Sequence, residues 1–256
     1  MFEGKSIIIF DMDGTLIDSV GIWNKVDRRL IESFGKKALS DREIQHTRDD
    51  ILERKRGAQN PYLEYCACLN ELYDFGQNDP DCVLKKRYDI AHDFLRKEID
   101  YKPMADVFVK ELVKLGCITV IASTTKRSNM DIYRQENANI MSKAAIDECF
   151  SKVYTREDVG SIKPDPEVYL KVMEDFEAGP EKCLVFEDSL VGIKAAKSAG
   201  IDTVAVHDMY SDDERKEINR NADHIIGGYE EAVEILKKER GWGTLRKEGA
   251  PRTFVS

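Results

Sequence analysis

The sequence predicts an α/β fold, a doubly wound parallel sheet carrying an inserted helical lobe. Three observations lead there. Short, nearly continuous apolar runs, among them Ile7–Phe10, Cys117–Ala122 (interrupted by Thr119) and Leu184–Phe186, are too short for helices and do not alternate, as befits strands covered on both faces. From Met104 onward such runs alternate with helical stripes, the rhythm of parallel strand–helix–strand units. Between residues 18 and 102 no convincing strand occurs.

Taken in order, the first strand runs into Asp11-Met12-Asp13-Gly14-Thr15. Ligands of open α/β sheets bind outside the carboxyl ends of the strands, so Asp11 and Asp13 stand where chemistry is expected. Gly14 lets the backbone turn sharply there. Ile22, Val26 and Leu30 then recur every four residues towards Phe34, an amphipathic helix stopped by Gly35. Ser40-Asp41-Arg42-Glu43 has the form of a capping box opening a second helix. Asn60-Pro61 breaks the chain before a third helix over Tyr62 to Tyr73, and Leu84, Tyr88, Ala91, Leu95 and Ile99 mark a fourth. Four helices in succession suit a bundle packed as its own lobe. The expected division is a core of residues 1–17 and 103–240 and a lobe of residues 18–102.

Past that lobe, Met104, Phe108, Leu112 and Leu115 mark a helix ended by Gly116. A strand over Cys117–Ala122 follows, then a helical stretch with weak boundaries and a short strand near Ser151 to Tyr154. Pro166 suits the first turn of a helix over Val168 to Phe176. After the strand Leu184–Phe186 come a helix from Val191 to Ser198, a strand at Thr203–Val206, an edge strand at His224-Ile225-Ile226 and a helix from Tyr229 to Lys238. Residues 241–256 combine glycines, a proline and basic residues without an apolar period, and read as a loose tail.

Composition narrows the function. A net charge of −9 over 256 residues argues against a nucleic-acid or anionic-membrane surface, while a locally positive site can still take an anionic small molecule. No run approaches transmembrane length. The cysteines form no C-x-x-C pair and the histidines are dispersed, so no zinc spacing arises. Asp11 interrupts the apolar start too early for a secretory signal, and a reducing cytoplasm is the expected compartment. No G-x-x-x-x-G-K-[ST] stretch is present, which excludes a P-loop kinase at motif level.

Three further stretches carry chemistry. Ser123-Thr124-Thr125-Lys126 closes a strand with hydroxyls and a cation; such groups and the turn amides can donate to phosphoryl oxygens, although a Ser/Thr-rich helix cap is the competing reading. Lys163 is followed by Pro164 and Pro166, and a fixed ammonium offsets the repulsion between a carboxylate nucleophile and a phosphate dianion. Glu187-Asp188 ends a strand with a second acidic pair. Two such clusters are costly together unless a cation sits between them. Mg²⁺ prefers such oxygen donors.

In this order, Asp11-Met12-Asp13-Gly14-Thr15, Ser123, Lys163-Pro164-Asp165-Pro166 and Glu187-Asp188 resemble the four motifs of the haloacid dehalogenase superfamily, specifically its phosphatase and β-phosphoglucomutase branch. The resemblance implies a Rossmann-like core with an inserted four-helix cap domain. It implies Asp11 as nucleophile forming an aspartyl-phosphate, Asp13 as general acid and base, and Lys163 as the catalytic cation. A carboxylate can take a phosphoryl group covalently, and a second can protonate the leaving oxygen and then activate water. Phosphate binding falls to Thr15, Ser123, Thr124 and Lys126. Mg²⁺ is expected on Asp11, Asp188 and the backbone carbonyl of Asp13, with Glu187 binding directly or through water. Ile162 departs from the Gly usual before that lysine.

Thr47-Arg48-Asp49-Asp50-Ile51-Leu52 resembles the arginine-bearing cap segment that reaches a sugar phosphate, making Arg48 a substrate-binding candidate; a surface arginine on a helix is the competing reading. Counting from the aspartates, Trp23 stands where the mutases carry a histidine, so hydrolysis is expected rather than isomerisation. The expected protein is a Mg²⁺-dependent phosphatase of a small phosphate ester, of the sugar or polyol phosphate class, working as a monomer or weak homodimer. A phosphomutase is the first alternative and a non-enzymatic switch phosphorylated on Asp11 the second.

Overall fold

The computed structural model describes residues 1–55 and 57–239. The chain divides into two compact units, one of Met1–Ser19 with the chain from Ile99 onward, the other of Val20–Glu98. The tail expected over residues 241–256 lies outside the described residues.

The first unit begins with β1 (Ile7–Phe10), buried along its whole length. Its continuation turns at once: Gly14 takes φ 86°, and the amides of Leu16 and Ile17 both reach back to the carbonyl of Met12. The chain then enters the second unit, built from α1 (Ile22–Ser33), α2 (Asp41–Arg54), α3 (Pro61–Tyr73) and α4 (Pro80–Lys97). Ser40 and Glu43 close a reciprocal capping box at the start of α2, which supplies orphan amides with acceptors. Asn60 and Asp79 cap α3 and α4, each followed by proline at the first helical position. Leu30, Ile51, Tyr65, Leu69, Phe75 and Val83 pack this unit's core.

Back in the first unit come α5 (Ala105–Lys114), β2 (Ile118–Ala122), α6 (Arg127–Gln135), α7 (Ala138–Ala144), α8 (Ile146–Cys149) and β3 (Lys152–Tyr154). They are followed by α9 (Glu167–Asp175), β4 (Cys183–Glu187), α10 (Leu190–Ser198), β5 (Asp202–Val206), α11 (Arg215–Asn221), β6 (His224–Ile226) and α12 (Tyr229–Glu239). The six strands are all parallel in the order β3-β2-β1-β4-β5-β6, the doubly wound arrangement the sequence predicts. Strand order reverses between β1 and β4, and ligands bind at the carboxyl ends of such a junction. Register pairs Phe10 with Phe186, and the amide of Asp11 donates to the carbonyl of Phe186 at 3.0 Å. Asp11 is thereby set beside Glu187 and Asp188.

Three details differ from expectation. The stretch after β2 folds as three helices rather than one vague segment. Helix α11 between β5 and β6 was not anticipated, because Ile218 is its one buried residue and makes no stripe. Pro166 caps α9 from outside rather than occupying its first turn. Among the described residues, no helix is long and apolar enough to cross a membrane.

Candidate active site

Four segments of the first unit converge at the β1–β4 junction. Lys163, from the loop between β3 and α9, donates to Oδ1 of Asp11 at 2.6 Å, to Oε1 of Glu187 at 2.6 Å and to the carbonyl of Ala122 at 2.9 Å. These are all the donors an ammonium has. The loop that presents it is itself tied down, since the Glu167 carboxylate accepts the amides of Gly160 at 2.7 Å and Ser161 at 2.8 Å.

Glu187 is buried and fully engaged. Its Oε1 also accepts the Tyr169 hydroxyl at 3.3 Å, while Oε2 accepts the amides of Asp188 and Ser189 and the Ser189 hydroxyl at 3.0 Å. Asp188 accepts the Thr15 hydroxyl at 2.7 Å on Oδ1 and the Ser211 hydroxyl at 3.3 Å on Oδ2. The hydroxyl of Thr15, expected at phosphate, is thus bonded to an acid.

Burial dominates the electrostatics. It pushes the Asp11 carboxyl well above its ordinary range against the pull of Lys163, and the charges of Glu187 and Asp188 push the same way. Burial, then the charge of Glu187, raises Asp188 to about 7. Burial alone would lower the Lys163 ammonium, but Asp11 and Glu187 together hold it well above its ordinary value. Three buried carboxylates, Asp11, Glu187 and Asp188, bring one oxygen each within 4.8 Å of one another. One ammonium, that of Lys163, is hydrogen-bonded to two of them, and the charge of Lys102 reaches Asp188. That surplus of negative charge on hard oxygen donors, away from water, fits a divalent cation.

Asp13 lies half-buried one turn further on. Its Oδ1 accepts the Ser19 hydroxyl at 2.6 Å and the Tyr133 phenol at 3.2 Å, and its Oδ2 accepts the Thr125 hydroxyl. Ser123 is buried at the end of β2, its hydroxyl accepting the Thr125 amide at 3.1 Å. Thr124 and Lys126 are exposed on the turn that follows, Lys126 standing just before α6.

Hydrogen bonds therefore join Asp11, Thr15, Lys163, Glu187 and Asp188 into one network. Arg48 belongs to the second unit, where its guanidinium donates to Asp27 at 3.1 Å. Residues not assigned a role from sequence also enter: Ser19 and Tyr133 around Asp13, and Asp208, whose charge helps to raise Asp188; Thr125, read with the hydroxyls suited to phosphate, donates to Asp13. Asp208 follows the end of β5, a strand-end position of the kind that marks Asp11 and Asp188. For Tyr133 no such signal exists.

Comparison with known proteins bears on this arrangement. The sequence pattern of the haloacid dehalogenase-like hydrolases matches residues 8–206. A phosphorylated carbohydrates phosphatase of Thermotoga maritima is 30% identical over 204 residues, covering 79% of this chain and 86% of that protein. A fructose-1-phosphate phosphatase of Escherichia coli is 25% identical over 213 residues, covering 80% of this chain and 98% of that protein. Among solved structures, a candidate β-phosphoglucomutase of Thermotoga maritima superposes with a TM-score of 0.71 at 25% identity, over 91% of this chain and 99% of its own.

Proposed function

The chain belongs to the haloacid dehalogenase-like hydrolases, and we propose that it is a Mg²⁺-dependent phosphatase of a small phosphorylated metabolite, of the sugar or polyol phosphate class. The observation that carries the proposal is the pairing of Asp11 with buried Lys163. One oxygen of Asp11 is held at 2.6 Å by the ammonium, while Oδ2 takes no hydrogen bond among the described residues. A carboxylate so oriented has a free oxygen to attack with, and the fixed cation offsets its repulsion from a phosphate dianion.

In the first step Oδ2 of Asp11 bonds to phosphorus as the ester P–O bond breaks, and the leaving oxygen takes a proton from Asp13. In the second, Asp13 takes a proton from water, whose oxygen attacks phosphorus; inorganic phosphate departs and the Asp11 carboxylate is restored. Ser123 and the amides of the turn after β2 suit the phosphoryl oxygens, with Thr124 and Lys126 beside them and Thr15 supporting Asp188. Asp11, Asp188 and the carbonyl of Asp13 would hold the Mg²⁺. Glu187, with both oxygens already hydrogen-bonded, suits a place behind water better than direct ligation. When bound, the ion supplies positive charge to the phosphoryl oxygens.

The second unit would act as a cap that excludes water and selects the leaving group, with Arg48 as a substrate contact. The substrate class follows the activities for which the Thermotoga and Escherichia relatives are named. A phosphomutase is the second reading, favoured by the likeness to the candidate β-phosphoglucomutase; Trp23, in place of a histidine, weighs against it. The test is phosphate release from a panel of sugar, polyol and nucleoside phosphates, with Mg²⁺ or EDTA and with Asp11→Asn beside the parent. Release requiring both the metal and Asp11 supports the phosphatase. Conversion of glucose 1-phosphate into glucose 6-phosphate without free phosphate overturns it in favour of the mutase.

A further inference from the structure

Three hydroxyls converge on the carboxylate of Asp13, and they are unequally shared. Oδ1 accepts two, from Ser19 at 2.6 Å and Tyr133 at 3.2 Å, and Oδ2 accepts one, from Thr125. Each carboxylate oxygen has about two acceptor sites. Oδ1 is therefore filled, and Oδ2 keeps one site for a proton in transit.

Ser19 and Thr125 sit in the turns that follow β1 and β2. Tyr133 is different. It belongs to α6 and is 2% exposed, yet its phenol is turned to Asp13 rather than replaced by the plain ring that packing alone requires. A buried hydroxyl without an acceptor is costly.

We propose that Tyr133 is a positioning residue for Asp13: with Ser19 it occupies Oδ1 and turns Oδ2 to the leaving oxygen and then to water. This rests on the reading of Asp13 as the acid–base group. Two donors on one oxygen and one on the other fix both side-chain torsions of Asp13. Misplacing a reacting group by about 1 Å is enough to cost on the order of a hundredfold in rate.

The experiment compares kcat/KM for an alkyl phosphate and for p-nitrophenyl phosphate in the full-length enzyme with Mg²⁺. This constant covers departure of the leaving group but not hydrolysis of the phosphoenzyme. An alkoxide needs a proton to leave, whereas p-nitrophenolate does not. Tyr133→Phe keeps the ring, and is expected to lower the alkyl value about tenfold or more while changing the aryl value less than about twofold. In an Asp13→Asn background it is expected to add no further loss, whereas an independent packing defect multiplies with the first variant. Thr125→Val acts on the other oxygen and gives the same comparison should Tyr133→Phe fail to fold. Equal loss on both esters, no loss on either, or an added loss in the Asp13→Asn background overturns the positioning. An Asp13→Asn enzyme that loses both esters equally removes the acid–base reading itself, and the positioning with it.

Discussion

The Nζ of Lys163 lies 2.6 Å from Oδ1 of Asp11, so a loop cation and the last residue before the β1 turn are locked together in a buried site. The same ammonium meets Glu187 at 2.6 Å. Lys163→Met removes the one charge that both acids share. Losing a preorganised electrostatic partner of this kind lowers turnover by about 10²–10³-fold. The folded state also suffers, because breaking a buried pair by removing one partner costs about 3–5 kcal/mol. Phosphate-release kinetics and thermal melts of the variant check both effects, and a fully active variant contradicts the role.

The acid cluster ties stability to pH and to metal. A carboxyl raised from its ordinary 3.8 to about 7, as Asp188 is, binds its proton more tightly in the folded chain than in the unfolded one. The unfolded chain releases that proton first, so stability falls as pH rises through this window, by up to about 4 kcal/mol for this group. A cation that displaces the proton relieves the loss. The rise in Tm produced by Mg²⁺ is therefore expected to be larger near pH ~8 than near pH ~5.5. Equal shifts at both would show that the ion does not bind at these carboxylates.

The Glu187 carboxylate occupies the space that Gly192 leaves by having no side chain. A Cβ built at 192 would stand 1.8 Å from Oε1 of Glu187, and that carboxylate is held by Lys163, Tyr169, Ser189 and the Asp188 amide. Gly192→Ala must push α10 away or swing Glu187 off Lys163. Overpacking of this sort costs about 1–3 kcal/mol, and activity is expected to fall with it. Thermal melts and phosphate-release assays of the purified variant measure both; unchanged Tm and rate would mean that α10 yields freely.

Legibility in the sequence followed physical locality. Strands β1 and β4 could be read because strands covered on both faces are continuous apolar runs, and Asp11, Glu187 and Asp188 because they directly follow or end such runs. The Ser40 capping box is a pattern of neighbours, and it formed as written. Tyr133 was hidden, since Met130, Ile132 and Tyr133 are all buried on α6 and periodicity cannot tell which of them turns a polar tip to Asp13. The ion pair of Arg48 was hidden likewise, because Asp27 meets it only once α1 and α2 have packed.

That pairing carries the last prediction. Inside the second unit Asp27 is wholly buried, and Arg87, 1% exposed, grips it through Nε at 2.6 Å and Nη2 at 3.3 Å. The Tyr65 hydroxyl at 2.9 Å and Arg48 at 3.1 Å complete its shell, and the guanidinium carbon of Arg87 lies 4.7 Å from the centre of the Trp23 ring. Asp27→Asn strands the buried guanidinium of Arg87, and Arg87→Met leaves the buried carboxylate with the partly exposed Arg48 in place of its closest cation, so each is expected to destabilise the unit by about 3–5 kcal/mol. Tyr65→Phe removes one hydrogen bond from a carboxylate that keeps its cations, and should cost only about 1.5–3 kcal/mol. Pairing Asp27→Leu with Arg87→Met removes both charges together and is expected to recover much of what either single variant loses. Urea titrations followed through Trp23 fluorescence, in a Trp242→Phe background that removes the other tryptophan, read this unit directly. Single variants within about 1 kcal/mol of the parent would mean that the aromatic rings, not the ion pair, hold Arg87 in place.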